Sequence, residues 1–253
     1  MRWLDLAWRV PATGVAFLCI FFGGGVLALC LRPILALCPG NRRERTRHAI
    51  HRLFRLYLAL LRACGLARVQ VTGAERLALV EGHVVVANHP SLLDVVILVA
   101  LIPRAQCIVK HQLWRHRFLG PLMRQAGYIS NALDPQDMIA ACAASLAAGE
   151  SLVIFPEGTR TQPGQPLVFQ RGFAHMAVDT GAPILPVTIT CDPPTLIRGE
   201  PWWRVPPRPP LFQVVVGHPV SVAPLTKNLN RGLGARRIVK YFLNYYESKG
   251  YHV

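Results

Sequence analysis

The sequence predicts an α/β fold, a mixed β-sheet flanked by helices, with an N-terminal two-helix membrane-docking element. Three observations carry this. Apolar β-rich runs alternate with helical segments over residues 66–253, the order that builds a layered α/β domain. Two of those runs end in clusters of polar and charged side chains. Residues 1–65 differ in composition, joining an uncharged stretch to a basic amphipathic one. The expected division is therefore a membrane anchor and basic amphipathic helix over 1–65 and a catalytic domain over 66–253.

At 253 residues the chain has room for one catalytic domain and an appendage. Hydrophobic residues make up 52%, and 28 Lys and Arg against 13 acids give a net charge of +15. An oily and basic chain points to an anionic membrane surface. A nucleic-acid binder needs a basic stripe interleaved with exposed aromatics, or a known module, and neither is present. The seven cysteines include no C-x-x-C pair. Cys19, Cys30 and Cys38 lie in apolar sequence and the others are scattered, as reduced thiols of a cytoplasmic compartment would be. The nine histidines show no H-E-x-x-H spacing, so no metal site is expected.

Val10 to Leu31 is a run of 22 residues without charge, enough to cross a hydrocarbon core of about 30 Å. A secretory signal would have a shorter apolar core and a small-residue cleavage site. Gly23-Gly24-Gly25 interrupts the run, each glycine weakening a helix by roughly 1 kcal/mol relative to alanine, which predicts a bent or re-entrant helix. Arg42-Arg43-Glu44-Arg45-Thr46-Arg47 follows, and its arginines place that side in the cytoplasm. Ile50, Leu53, Phe54, Tyr57, Leu58 and Leu61 then recur at helical spacing through about Arg62. Such a helix lies in the headgroup plane, packs on the catalytic domain, or does both.

Ala67 to Val71 reads as a strand closed by a glycine turn, and Val84 to Ala87 as a buried strand. Ser91 is expected to open the apolar helix that Pro103 stops. Cys107 to Lys110 is a further strand, followed by an aromatic, basic and apolar segment to Ile129. Met138 to Ala148 is an alanine-rich helix with Gly149 at its end. Ser151 to Phe155 is a buried strand, Phe169 to Asp179 a helix, and Pro183 to Thr190 a strand whose Pro186 implies an edge or a bulge. Residues 194–210 form a loop rich in Pro, Arg and Trp, Leu211 to Gly217 is a strand, and an amphipathic helix from about Leu229 closes the chain.

The chemistry gathers at two strand ends. His89 follows the strand Val84–Ala87, at the carboxyl end where open α/β sheets place their sites. Residues five apart on one helix point about 140° apart. His89 therefore meets Asp94 only from a turn before the helix, with Asp94 in the first helical turn. The carboxylate then fixes one imidazole nitrogen, and the other is free to take a proton from an attacking hydroxyl. A plain alternative is that Ser91-x-x-Asp94 is a capping box and His89 a turn residue. The second strand runs into Pro156-Glu157-Gly158-Thr159-Arg160-Thr161. Glycine lets backbone approach a ligand, and arginine grips phosphate as a fork. A Glu157–Arg160 salt bridge is the bland reading of this loop.

Asn88-His89-Pro90-Ser91-Leu92-Leu93-Asp94 and Phe155-Pro156-Glu157-Gly158-Thr159-Arg160 together resemble the two signature blocks of the glycerolipid (lysophosphatidate-type) acyltransferase family. Lys110 to Gly127 and Pro183 to Val187 resemble its two weaker blocks, and the likeness runs from about Leu66 to Pro224. It implies a glycerol-phosphate acyltransferase-like fold and transfer of an acyl chain from acyl carrier protein or coenzyme A to a lysolipid hydroxyl, 1-acylglycerol-3-phosphate first. It implies no further cofactor, and a place on the cytoplasmic face of a bacterial inner membrane. His89 and Asp94 would be catalytic. Asn88, Ser91, Lys110, Glu157, Gly158, Thr159, Arg160 and Pro186 would bind substrate. The expected partners are membrane lipids, the lysolipid acceptor and acyl carrier protein. After Gly127 this chain reads Tyr128-Ile129-Ser130-Asn131, without the arginine common in members that make phosphatidate. Acceptors such as lyso-ornithine or aryl polyene lipids, or a thioesterase-like hydrolysis, are the alternatives.

Overall fold

The computed structural model describes residues 2–37, 40–78, 80–161 and 165–250. Helices α1 (Arg2–Leu37) and α2 (Arg42–Ala63) come first. Strand β1 (Arg68–Thr72), helix α3 (Ala74–Ala78), strand β2 (Val84–Ala87), helix α4 (Asp94–Leu101) and strand β3 (Ala105–Val109) follow. Then come α5 (His111–Trp114), α6 (Leu119–Gln125), β4 (Ile129–Ser130), α7 (Pro135–Ala147) and β5 (Ser151–Ile154). The chain ends with α8 (Gly172–Thr180), β6 (Ile184–Asp192), β7 (Leu211–Val216), α9 (Ala223–Thr226) and α10 (Arg231–Ser248).

The strands form one sheet in the order β1-β7-β6-β2-β5-β3-β4. Every pairing is parallel except β6 with β7, so the sheet is mixed, as the alternation of elements predicts. β2 lies inside the sheet and is buried on both faces, which explains its unbroken run of valines. Side chains alternate across a strand. Val85 and Ala87 join a core with Ile50 of α2 and Ile97 of α4, and Val84 and Val86 join another with Phe173 of α8 and Phe242 of α10.

Three expectations are corrected. Pro186 marks neither an edge nor a bulge: β6 lies between β7 and β2. The antiparallel ladder to β7 runs from Val187 onward, so the missing N–H of Pro186 falls at the end of that ladder, where Gly217 N–H donates to the Pro186 carbonyl at 2.8 Å. The helix after β2 begins at Asp94, three residues beyond Ser91; the Ser91 carbonyl closes a turn with the Asp94 N–H, and the Asp94 carboxylate accepts the Ser91 N–H. Gly23-Gly24-Gly25 does not break α1, which is helical through all three. A Cβ on Gly24 would strike the Leu119 side chain, and one on Gly25 would lie 3.0 Å from Phe118 Cβ. These two glycines form a notch into which α6 packs.

α2 is fastened to the catalytic sheet by buried polar groups. Arg47 donates from Nε to Ala126 O (2.8 Å) and from Nη2 to Gly127 O, and ion-pairs with Glu150. His51 Nδ1–H donates to Val99 O at 2.9 Å. α1 is held by Arg9, 1% exposed, which donates to Pro206 O at 2.9 Å, and by Trp8 Nε1–H on Cys64 O. Asp5–Val26 of α1 is long and apolar enough to cross a membrane. Of the cysteines read from the sequence, Cys38 lies outside the described residues; the six described are all free thiols.

Candidate active site

β2 and β5 are adjacent and parallel, with Val86 beside Ile154, so the two polar motifs leave the sheet side by side. They are stitched together at once. The His89 N–H donates to Glu157 Oε1 at 3.0 Å, and the Thr161 N–H donates to His89 O at 2.8 Å. The His89 ring stacks on Phe155, centroids 4.1 Å apart. Backbone and ring are thus both fixed before any ligand arrives.

Asp94 opens α4, where the helix dipole favours a carboxylate. Its Oδ2 lies 2.9 Å from His89 Nδ1 and accepts the Ser91 N–H at 2.7 Å. An oxygen that already accepts from an amide makes Nδ1 the donor and leaves Nε2 as the unprotonated nitrogen. Nε2 has no hydrogen-bond partner among the described residues. The Asp94 side chain is fully buried, the His89 ring is 14% exposed, and Asp94 Oδ1 has no hydrogen-bond partner among the described residues. Burial pushes the Asp94 carboxyl above its ordinary range, opposed by His89 and the Ser91 N–H. Burial raises Glu157 too, opposed by the Thr161 hydroxyl and the His89 N–H.

The residues expected to bind substrate divide sharply. Asn88 is buried and gives both polar groups to β6: Nδ2–H donates to Ile189 O (2.8 Å), and Oδ1 accepts Ile189 N–H (2.7 Å). Ser91 is buried under the Asp94 turn, its Oγ accepting the Leu93 N–H. Pro186 is buried in β6 with its ring against Gly217. All three are buried and make their contacts inside the protein. Glu157 uses both carboxylate oxygens internally, on His89 N–H and on the Thr161 hydroxyl at 2.6 Å, and forms no ion pair with Arg160. Gly158 sits at φ 70° at the exposed tip of the loop, with Thr159 half-buried beside it. Arg160 Nη1 donates to Leu196 O (2.6 Å) and Ile197 O (3.1 Å), and Nε and Nη2 have no hydrogen-bond partner among the described residues. Lys110 is exposed at the start of α5, two strands away from β2.

Phe155 and Thr161 were not read as site residues; both border the second motif, and that adjacency is the signal that could have found them. Leu196 and Ile197 lie more than thirty residues further on, in a loop with no pattern of its own.

Near the dyad lies a small apolar cavity of about 40 Å³. Its lining includes Leu93, the chain neighbour of Asp94, and Leu196, whose carbonyl Arg160 holds. Thr13, Ala16 and Phe17 of α1 and Tyr57 and Leu61 of α2 form one wall, and Trp202, Val205 and Pro206 another.

The family model "Acyltransferase" matches residues 68–190. The chain is 31% identical over 186 residues to the human 1-acyl-sn-glycerol-3-phosphate acyltransferase alpha, covering 71% of this chain and 64% of that protein. It is 31% identical over 212 residues to the mouse protein of that name, covering 81% and 72%. Over 149 residues it is 33% identical to a Borreliella burgdorferi 1-acyl-sn-glycerol-3-phosphate acyltransferase, covering 53% and 59%. The crystal structure of the Thermotoga maritima 1-acyl-sn-glycerophosphate acyltransferase has the same fold, with a TM-score of 0.71 at 22% identity and 98% of both chains covered.

Proposed function

The chain belongs to the acyltransferase family, and from that membership and the His89–Asp94 geometry we propose that it transfers an acyl chain from a thioester to the free hydroxyl of a lysophospholipid, 1-acylglycerol-3-phosphate foremost. The donor is acyl carrier protein or coenzyme A. His89 Nε2 takes the proton of the acceptor hydroxyl, worth typically 10²–10⁴-fold. The alkoxide oxygen bonds the thioester carbonyl carbon, the carbon–sulfur bond breaks, and the imidazolium returns its proton to the leaving thiolate. Asp94 holds the tautomer and steadies the imidazolium. Arg160 steadies the acceptor phosphate.

The single observation that carries the reading is a histidine with one nitrogen tied to a buried carboxylate and the other without a hydrogen-bond partner among the described residues. The enzyme sits on the cytoplasmic face of a bacterial inner membrane, with α1 half-submerged along the surface. Its contacts from Trp8 to Gly25 span about 25 Å at 1.5 Å per residue, and a helix clamped to the protein over that length cannot also cross the bilayer. Val15, Leu18, Phe22, Val26 and Leu29 face outward from it at helical spacing.

Purified full-length protein in detergent, given labelled acyl carrier protein or acyl-coenzyme A and a panel of lysolipids, yields a diacyl product identified by mass spectrometry. Release of free fatty acid at one rate with and without any acceptor overturns the reading in favour of a hydrolase. A product from lyso-ornithine lipid but not from lysophosphatidate replaces the acceptor.

A further inference from the structure

The loop between β6 and β7 carries an arginine for which the reaction above has no role. Residues 192–208 contain three arginines. Arg204 pairs with Glu200 at 3.1 Å, and Arg208 with Asp192 at 2.7 Å. Arg198 is exposed and has no hydrogen-bond or ion-pair partner among the described residues. An exposed lysine or arginine without a partner is ordinary on a basic surface, but the backbone beneath this one is built. The Glu200 N–H bonds Ile197 O at 3.3 Å, closing a tight turn with Arg198 and Gly199 at its centre. Gly199 has φ 86°, the left-handed conformation that the third residue of a type II turn requires. The preceding Leu196 is held at φ 53°, a conformation a branched residue avoids unless its surroundings impose it. What imposes it is visible: Leu196 O accepts from Arg160 Nη1 and from the Leu92 N–H, and its side chain is buried in the cavity wall.

Arg160 therefore holds the turn from which Arg198 projects, and the carbonyl it holds is bonded to the Arg198 nitrogen. Arg160 thus reaches the carbonyls of the two residues before Arg198, and its basicity is lowered first by burial and then by the charge of Arg198. Folding has brought two like charges together at the edge of the dyad, and Nε and Nη2 of Arg160 have no hydrogen-bond partner among the described residues. The nearby acids are already committed: Asp94 to His89, Glu157 to His89 N–H and Thr161, Glu200 to Arg204 and Asp192 to Arg208. Such a pair is relieved by a doubly charged ligand, and forked guanidinium groups suit phosphate oxygens.

We propose that Arg198, on the Ile197–Glu200 turn held by Arg160, is the second cation of a two-arginine site that selects a phosphate monoester head group over a phosphodiester. The proposal rests on the acyl-transfer reading only for the lipid that carries the head group. A monoester carries about −1.5 to −2 charges at pH 7, so it satisfies both guanidinium groups. A diester carries one charge and satisfies one. Arg160 positions the site and Arg198 sets the preference.

The test is binding, with no acyl donor present. Full-length protein in detergent is titrated with 1-oleoylglycerol 3-phosphate and with 1-oleoyl lysophosphatidylglycerol, which differ in head-group charge and share an acyl chain. Wild type binds the monoester at least tenfold more tightly. Arg198→Gln removes that preference mainly by weakening the monoester, and Arg198→Lys, which keeps a charge but not the fork, retains part of it. A wild type without preference, or an Arg198→Gln variant that keeps it, overturns the proposal. Free coenzyme A, which bears its own phosphate monoester, is titrated in parallel. If its affinity falls in Arg198→Gln while the lysolipid's does not, Arg198 serves the donor and the proposal is overturned. Absence of acyl transfer with the head-group preference intact would sink the acyl-transfer reading and leave the two-arginine site standing.

Discussion

Residues 88–94 and residues 155–161 leave adjacent parallel strands at the same end of the sheet, and both are rich in polar groups. In the first loop, Asn88, Ser91 and Asp94 are buried and bonded to the protein, and the atoms without a partner among the described residues include the buried Oδ1 of Asp94 and one accessible ring nitrogen at His89. In the second, Glu157 and Thr161 turn inward to hold the first loop, and a guanidinium group is left over at Arg160. Each loop consumes most of its polar atoms in fixing one atom set for use. The first presents a base and the second a charge. The difference teaches that a polar motif at a strand end is mostly scaffold, and that its reactive part is the group whose hydrogen bonds are incomplete.

The largest effect should follow from removing the base. His89→Ala is expected to lower kcat by 10² to 10⁴-fold while leaving the acceptor KM within a few-fold. Steady-state kinetics with a labelled thioester decide it, and a rate near wild type would remove His89 from the chemistry and undo the contrast between the loops.

Asp94→Asn should come next in effect on rate, because the asparagine no longer balances an imidazolium. It should have a second, separable consequence. Burial raises the Asp94 carboxyl in the folded protein. The folded state then keeps that proton to higher pH than the unfolded chain, so this group lowers stability progressively as pH rises above about 4. Below that pH both states hold the proton and the effect vanishes. The stability of wild type relative to Asp94→Asn should therefore fall as pH rises from about 4, measured by denaturant unfolding in detergent. A wild type that gains on the variant over that range contradicts the raised carboxyl.

How much of this was legible in the sequence follows from how local each signal is. The strands β2 and β5 read correctly because a parallel strand buried on both faces is an unbroken apolar run. The meeting of His89 and Asp94 read correctly because helix geometry allows only one way for it to occur. The burial of Asn88 and Ser91 was not legible, because it depends on how β6 and α4 pack around them. The glycine triplet looked like a weakness in α1, and its use as a notch for Leu119 and Phe118 needs a partner about a hundred residues away. The carbonyls that clasp Arg160 belong to a loop that announces nothing, since any residue type carries a carbonyl.

Arg160→Ala sharpens the comparison from the other side. Charge-assisted hydrogen bonds contribute about 1.5–3 kcal/mol each, so the acceptor KM should rise by about tenfold or more. The effect on kcat should be smaller than that of either dyad substitution. An unchanged KM would move the acceptor's charge to another part of the surface.

Glu157→Gln should have the smallest effect, and it discriminates most finely between scaffold and ligand. The carboxylate accepts from the His89 N–H through Oε1 and from the Thr161 hydroxyl through Oε2. Glutamine can keep its carbonyl oxygen on the His89 N–H and turn its amide toward Thr161, whose hydroxyl rotates from donor to acceptor. Both contacts survive with less charge, so kcat should stay within about threefold of wild type and the acceptor KM should not move. Glu157→Ala removes both contacts, leaves the His89 N–H unpaired and should cost about tenfold in kcat. If Glu157 touched the acceptor, the glutamine variant would raise KM and spare kcat. Of the two loops, the second would then be the one that meets substrate with a carboxylate as well as a guanidinium group, and the division between base and charge would fail at this residue.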